Sequence, residues 1–174
     1  MHIKELTLKG VKLITPQVFY DERGFFLETF HQTRYLEMGM FVQDNLSCSK
    51  YGTIRGMHFQ IRPGQAKLVQ VIKGKIFDVF VDIRKDSPTF GRWEGVYLEE
   101  GTHQQLFIPI GFAHGFCAMS AETLVLYKVS SEYHSDTEKG FRYDDPAVGI
   151  KWPISNPIVS ERDLRAPLLK DLEG

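Results

Sequence analysis

The chain has 174 residues, 43% of them apolar, 13% aromatic and 25% charged, the composition of a single compact globular domain rather than a disordered or membrane-spanning chain. Lys plus Arg number 21 against 22 Asp plus Glu, a formal net charge of -1, so no broad basic field exists to hold nucleic acid or an anionic membrane, and any anion must be met by a local cluster. The two cysteines, Cys48 and Cys117, are too few for a disulfide framework and lack CxxC spacing. With the charged start Met-His-Ile-Lys-Glu, where a signal peptide needs an apolar core, they predict a cytoplasmic protein.

Short runs bounded by Gly, Pro, Asp or Ser follow one another along the chain. Residues 24–30 read as a strand, 33–37 as a short helix and 41–47 as a strand. Over residues 67–84 the sequence KLVQVIKGKIFDVFVDIR sets Phe77, Val79, Val81 and Ile83 at period two against Asp78 and Asp82, with Lys73-Gly74 between the halves. That is the pattern of a β-hairpin with one apolar face. Further strands are expected at 95–98, 105–109, 115–119 and 124–130, and a helical turn after Ser160. Many short strands punctuated by turns predict an all-β domain, an antiparallel sandwich or barrel with a few short helices. Residues 153–174, with Pro157 and Pro167, read as an arm lying on that barrel, so that one domain covers 1–174. No run reaches the roughly 18 apolar residues of a membrane helix.

Two segments concentrate the chemistry. The first is Tyr51-Gly-Thr-Ile-Arg-Gly-Met-His-Phe-Gln60, continued by Gln65-Ala-Lys67 and Gly74; the second is Ile108-Pro-Ile-Gly-Phe-Ala-His114-Gly. Together they resemble the two motifs of the cupin superfamily, which implies a β-barrel or jelly roll. Cupins that bind a metal converge several His and carboxylate ligands on one ion. In this chain Gln60 stands at the second His position, the Glu position falls in the region of Lys67, and Ala118 replaces the last ligand. The set is broken, and an ammonium suits an anion or a developing oxyanion instead of a cation.

A narrower resemblance covers nearly the whole chain. The strings Asp21-Glu-Arg-Gly-Phe-Phe-Leu-Glu28, Phe41-Val-Gln-Asp-Asn45, Ile54-Arg-Gly-Met-His-Phe-Gln60, residues 77–84, Ser87-Pro-Thr-Phe-Gly91, residues 108–116, Leu126-Tyr-Lys128 and Asp144-Asp-Pro146 resemble the dTDP-4-dehydrorhamnose 3,5-epimerase family in order and spacing. The chain departs from the family at Phe59, where Tyr is common, and at Ile110, where Glu is common. The resemblance implies a dTDP-linked 4-keto-6-deoxy sugar as substrate and epimerisation at C3 and C5 without metal or other cofactor. The ketone acidifies the adjacent C–H bonds because the carbanion is delocalised as an enolate. The reaction then needs a base on one face, a cation at the enolate oxygen and an acid on the other face. Neither GxGxxG nor GxxxxGK[ST] occurs, so nothing supports NAD or ATP.

Roles follow from the resemblance residue by residue. His58 matches the family's base, an imidazole that ordinarily titrates at about 6.5; by its residue type alone it reads equally as a core histidine. Tyr127 matches the proton donor, a phenol protonated at neutral pH, although aromatic strand residues are usually core. Lys67 is the enolate stabiliser, and Arg55 assists it or holds phosphate. Regular alternation puts Arg55 off the face of His58, whereas a bulge at Gly56 brings them together, and periodicity leaves both open. Two readings also stand for Asp163: it orients His58, or it belongs to a helix capping box in Ser160-Glu-Arg-Asp163. Arg23, Glu28, Gln43, Asn45, His114 and Glu138 match positions that contact the nucleotide sugar. The resemblance also implies a homodimer, in which the loosely alternating segment 3–14 adds to a neighbour's sheet. A metal-free cupin that binds a nucleotide sugar without turning it over is the rival reading, and a base and an acid on opposite faces argue against it.

Overall fold

The computed structural model describes residues 1–172; residues 173 and 174, the end of the expected arm, lie outside the described residues. Its strands are β1 (His2–Glu5), β2 (Lys12–Thr15), β3 (Val18–Asp21), β4 (Gly24–Leu27), β5 (Gln43–Lys50), β6 (Thr53–Gln60), β7 (Lys67–Lys73), β8 (Lys75–Asp82), β9 (Trp93–Glu99), β10 (Gln105–Ile108), β11 (Phe112–Ala118), β12 (Glu122–Val129), β13 (Glu138–Gly140) and β14 (Ile158–Val159), with one short α-helix, α1 (Glu161–Leu164). The first sheet runs β1-β2-β10-β7-β12-β5, and the second runs β13-β6-β11-β8-β9 with β14 alongside β6. The fold is all-β and cupin-like, with antiparallel pairing throughout the two sheets apart from the parallel β14–β6 contact. Among the described residues no helix is long and apolar enough to cross a membrane.

The expected hairpin over 67–84 is not one. Both halves are strands, but β7 pairs with β10 and β12 while β8 pairs with β9 and β11. The chain crosses from one sheet to the other at Gly74, the single residue between them, where two-residue hairpin turns have no room. Gly74 has φ +81°, and a Cβ there would stand 2.7 Å from the Glu122 carbonyl oxygen, so the corner demands glycine.

Between the sheets, Val69, Val71, Ile76, Phe80, Leu106, Phe112, Phe116 and Val125 form the interior core. The outer face of the second sheet carries another, in which Phe77, Val79, Val81, Ala113 and Cys117 are covered by Phe141, Trp152, Ile154, Val159 and Leu169. Of these, Ile154, Val159 and Leu169 fall within the segment 153–174. β8 is therefore buried on both faces, and its alternation means the reverse of the usual pattern. The apolar odd positions face the arm, while Asp78 and Asp82, both fully buried, sit on the face shared with Ile76 and Phe80. A third cluster, Ile14, Leu68 and Phe107, is capped by Tyr35 and Met38 from a 3-10 helix at Gln32–Met38, where a helix over 33–37 was expected. The segment 3–14 contributes β1 and β2, which pair with each other and then with β10 of the same chain.

Candidate active site

β6 carries the candidates Arg55 and His58, and its local irregularity decides what faces the interior. Its pairing with β11 sets His114 against His58 but Phe116 against Arg55, three residues on β6 opposite two on β11. The extra residue is a bulge. Ile54, Met57 and Phe59 turn to the arm side, and Arg55 and His58 come to line the same cavity. Gly56 makes this possible: at φ +136°, a Cβ on it would stand 2.5 Å from Gly115 Cα.

That cavity, about 580 Å³, opens between the sheets and is lined by Gln43, Asn45, Arg55, His58, Lys67, His114, Tyr127, Glu138 and Asp163, among others. Every candidate from the sequence except Arg23 and Glu28 is thus brought together. Those two lie apart from the cavity in this chain. The β3–β4 hairpin pairs only with itself and holds Arg23 at its exposed turn against Asp21, while Glu28 beyond β4 pairs with Arg34 at 2.8 Å. The ribbon stands outside both sheets of its own chain and brings neither side chain to the space between them. A larger, more open groove of about 900 Å³, lined by Leu8, Arg92, Trp93 and Leu169, holds none of the candidates.

His58 Nε2 lies 2.7 Å from Asp163 Oδ1, and the Gly56 N–H points to Asp163 Oδ2 at 3.4 Å. Ser160 Oγ meanwhile accepts the Asp163 N–H at 3.1 Å. The two readings of Asp163 are therefore not alternatives: Ser160 caps α1, the helix start fixes the Asp163 backbone, and its carboxylate is left free for the imidazole. Burial raises the Asp163 pKa, but the hydrogen bond and charge of His58 and the Gly56 amide outweigh it and hold the carboxyl below the usual range. An anion fixed against one ring nitrogen sets the tautomer and stabilises the imidazolium.

Lys67 is only 8% exposed, an unusual position for an ammonium. Its Nζ donates to Gln65 Oε1 at 2.8 Å and stands 5.9 Å from the centre of the Tyr127 ring. Burial lowers its pKa to about 8 against the opposing charges of Glu138 and Asp78. His114 Nε2 sits 2.9 Å from both oxygens of the buried Asp78, whose carboxyl burial pushes up while His114 and Lys67 pull it back. Burial also raises the Tyr127 phenol, which keeps it protonated at neutral pH. Arg55 reaches Ser49 Oγ at 3.0 Å and the Cys48 carbonyl at 3.1 Å.

The sequence reasoning missed several wall residues. Tyr133 donates its hydroxyl to Glu138 at 3.0 Å, and Arg162 pairs with the same carboxylate at 2.7 Å. Arg162 adjoins Asp163 on α1, which was a usable signal; Tyr133 lies in a loop and offered none. Ser47 follows Asn45 at strand spacing, and its buried hydroxyl has no partner among the described residues. Asp78 was visible only as a polar interruption of an apolar run. Among the described residues no three His, Cys, Asp or Glu side chains are grouped to hold a metal ion; Gln60 and Ala118 are buried at the positions where metal-binding cupins have ligands.

The family model described as dTDP-4-dehydrorhamnose 3,5-epimerase matches residues 5–171. A relative of that name from Methanothermobacter thermautotrophicus is 48% identical over 90% of this chain and 88% of its own. One from Streptomyces niveus, named dTDP-4-dehydrorhamnose 3-epimerase, is 42% identical over 98% of this chain and 85% of its own. The crystal structure of dTDP-6-deoxy-D-glucose-3,5-epimerase from Legionella pneumophila in complex with dTDP-4-keto-L-rhamnose superposes with a TM-score of 0.94 at 44% identity, covering 99% of this chain and 94% of that one. With a family model spanning all but its ends and relatives aligned along nearly its full length, this chain belongs to the dTDP-4-dehydrorhamnose 3,5-epimerase family.

Proposed function

We propose that the protein is an isomerase that inverts C3 and C5 of dTDP-4-dehydro-6-deoxy-D-glucose to give dTDP-4-dehydro-L-rhamnose. The observation that carries this reading is the placement of base and acid on facing sheets of one cavity: His58 on β6 of the second sheet and Tyr127 on β12 of the first. A sugar ring between them meets a base on one face and an acid on the other. His58 takes the C3 or C5 proton, and its imidazolium is stabilised by Asp163. The electron pair moves onto the C4 oxygen, where the Lys67 ammonium and Arg55 balance the charge. Tyr127 delivers a proton to the opposite face, and exchange with solvent returns one proton to the phenolate and removes one from the imidazolium. His114, held by Asp78, faces the sugar; Gln43, Asn45 and Glu138 contact the nucleotide.

The test is solvent exchange. Incubated with substrate in heavy water, with a chelator and no NAD, the enzyme is expected to place deuterium at both C3 and C5, read by NMR. A second reading, inversion at C3 alone, is favoured by the Streptomyces niveus relative named a 3-epimerase; deuterium at C3 only selects it. No incorporation at either carbon overturns both in favour of a binding protein.

The proposal includes a homodimer and a cytoplasmic setting. The β3–β4 hairpin exposes Phe19, Tyr20, Phe25 and Phe26, each more than half accessible, which is costly for an isolated chain. A second copy that covers this hairpin receives Arg23 and Glu28 near its own cavity, which accounts for two family-matched residues lying outside the cavity of their own chain. His58→Ala and Arg23→Ala variants, each impaired alone, are then expected to recover up to about a quarter of wild-type turnover when their subunits are mixed. Half of the randomly assorted dimers are mixed, and each of those holds one intact site. Activity that stays at the sum of the two variants refutes the shared site.

A further inference from the structure

We infer that Gln65 is a positioning residue for this chemistry, holding the Lys67 ammonium at the cavity and setting how firmly it keeps its proton. The inference rests on the enolate-stabilising role proposed for Lys67. The Gln65 side chain is almost wholly buried, with 8% of the residue exposed, and both ends of its amide are committed. Oε1 accepts from Lys67 Nζ at 2.8 Å, and Nε2 donates to the Ser131 carbonyl at 2.9 Å. The amide cannot turn over, since that sets an NH₂ donor against an ammonium and an oxygen against a carbonyl oxygen.

Its anchor is itself fixed. Ser131 Oγ donates to the Gly64 carbonyl at 2.9 Å, the Ala66 N–H to Ser130 Oγ at 2.9 Å, and the Ser130 N–H to the Ala66 carbonyl at 3.1 Å. The segment entering β7 is thereby stitched to the segment leaving β12, the strand that carries Tyr127. Gln65 ties the ammonium into this seam, so the enolate-facing cation and the phenol move as one unit.

The choice of a neutral acceptor has a consequence. Glu138 on β13 and Asp78 on β8 act on Lys67 with negative charge, and His114 on β11, with Arg55 and His58 on β6, shares the same cavity. A carboxylate in place of Gln65 adds a third anion at contact distance and engages the ammonium in an ion pair. An apolar side chain leaves a buried ammonium without its acceptor, and such a group gives up its proton. An amide orients the cation while leaving its charge available to the substrate.

The experiment titrates Lys67 directly in ligand-free protein, by the ¹³Cε signal of labelled lysine assigned with Lys67→Arg, and records the pH profile of kcat in parallel. In Gln65→Leu the Lys67 midpoint is expected to fall by about one pH unit, the equivalent of one lost hydrogen bond to a charged group. The protonated fraction at pH 7 then falls from about nine-tenths to about a half, so turnover there drops about twofold and the alkaline limb of kcat moves down with the midpoint, while dTDP affinity is held. In Gln65→Glu the midpoint rises by about one to two units, as an added carboxylate requires, and the alkaline limb of kcat follows. A lowered Tm with an unmoved Lys67 titration in both variants is the mark of a scaffold role and overturns the inference. If Gln65→Leu does not fold, the isosteric Gln65→Glu carries the test alone. A titration that moves while the kcat limb stays in place upholds Gln65 and overturns the role of Lys67 in catalysis.

Discussion

His58→Ala is expected to abolish deuterium incorporation at C3 and C5 together while dTDP still binds. Loss of a general base costs roughly 10²- to 10⁴-fold in rate, and in the proposed mechanism a single imidazole serves both carbons, so the two exchange rates are expected to fall in parallel. Affinity is spared because the nucleotide contacts assigned above lie on β5, β13 and the partner's hairpin. The variant also strips Asp163 of its partner at 2.7 Å. With the Gly56 amide and the α1 cap still in place, the carboxylate remains partly satisfied, and a loss of about 1–3 kcal/mol is expected, tolerable for a domain of this size. Isothermal titration with dTDP and NMR exchange on the same preparation check both halves. Unchanged exchange in a folded, dTDP-binding variant removes His58 from the mechanism.

Tyr127→Phe is expected to separate two processes that the wild-type enzyme performs together. The ring stays, and with it the packing against the interior core and the face toward Lys67 Nζ at 5.9 Å; only the hydroxyl is lost. His58 still removes the proton, and the enolate still forms. Reprotonation then comes back mainly from the His58 side, so deuterium enters with retained configuration. The yield of inverted product falls by roughly two to four orders of magnitude, the scale of a lost general acid. Because burial holds the phenol above its ordinary range, the wild-type donor stays charged with its proton across neutral pH and the defect should be flat there. NMR of the product, scoring deuterium and configuration separately, reads the split. If exchange and inversion drop together with the melting temperature, Tyr127 is a packing residue and the acid lies elsewhere.

Much of the protein was legible from its residues. Strand content and the short helices near 33–37 and after Ser160 follow from local propensity and turn chemistry, which act over a few residues and need no partner. The candidates His58 and Tyr127 stand in strings whose order a single sequence preserves, Lys67 in the continuation of the first cupin-like segment, and Asp163 in the capping-box pattern after Ser160. Pairing partners do not. The run 67–84 reads as a hairpin because period and turn residues are local properties, whereas the crossing at Gly74 is decided by which strands already flank each half. The alternation of Phe77, Val79 and Val81 against Asp78 and Asp82 reports two faces without saying which is covered; residues from Trp152 onward, 70 positions beyond Asp82 in sequence, cover the apolar one. Arg55 and His58 share the cavity only because the bulge on β6 breaks the strand's parity, and that bulge is set by the close approach of Gly56 to Gly115. The separation of Arg23 and Glu28 from their own cavity is likewise a tertiary fact. Composition and spacing dictate what each segment is and which groups it carries, but the direction a side chain faces depends on contacts between segments distant in sequence, and those exist only in the folded chain.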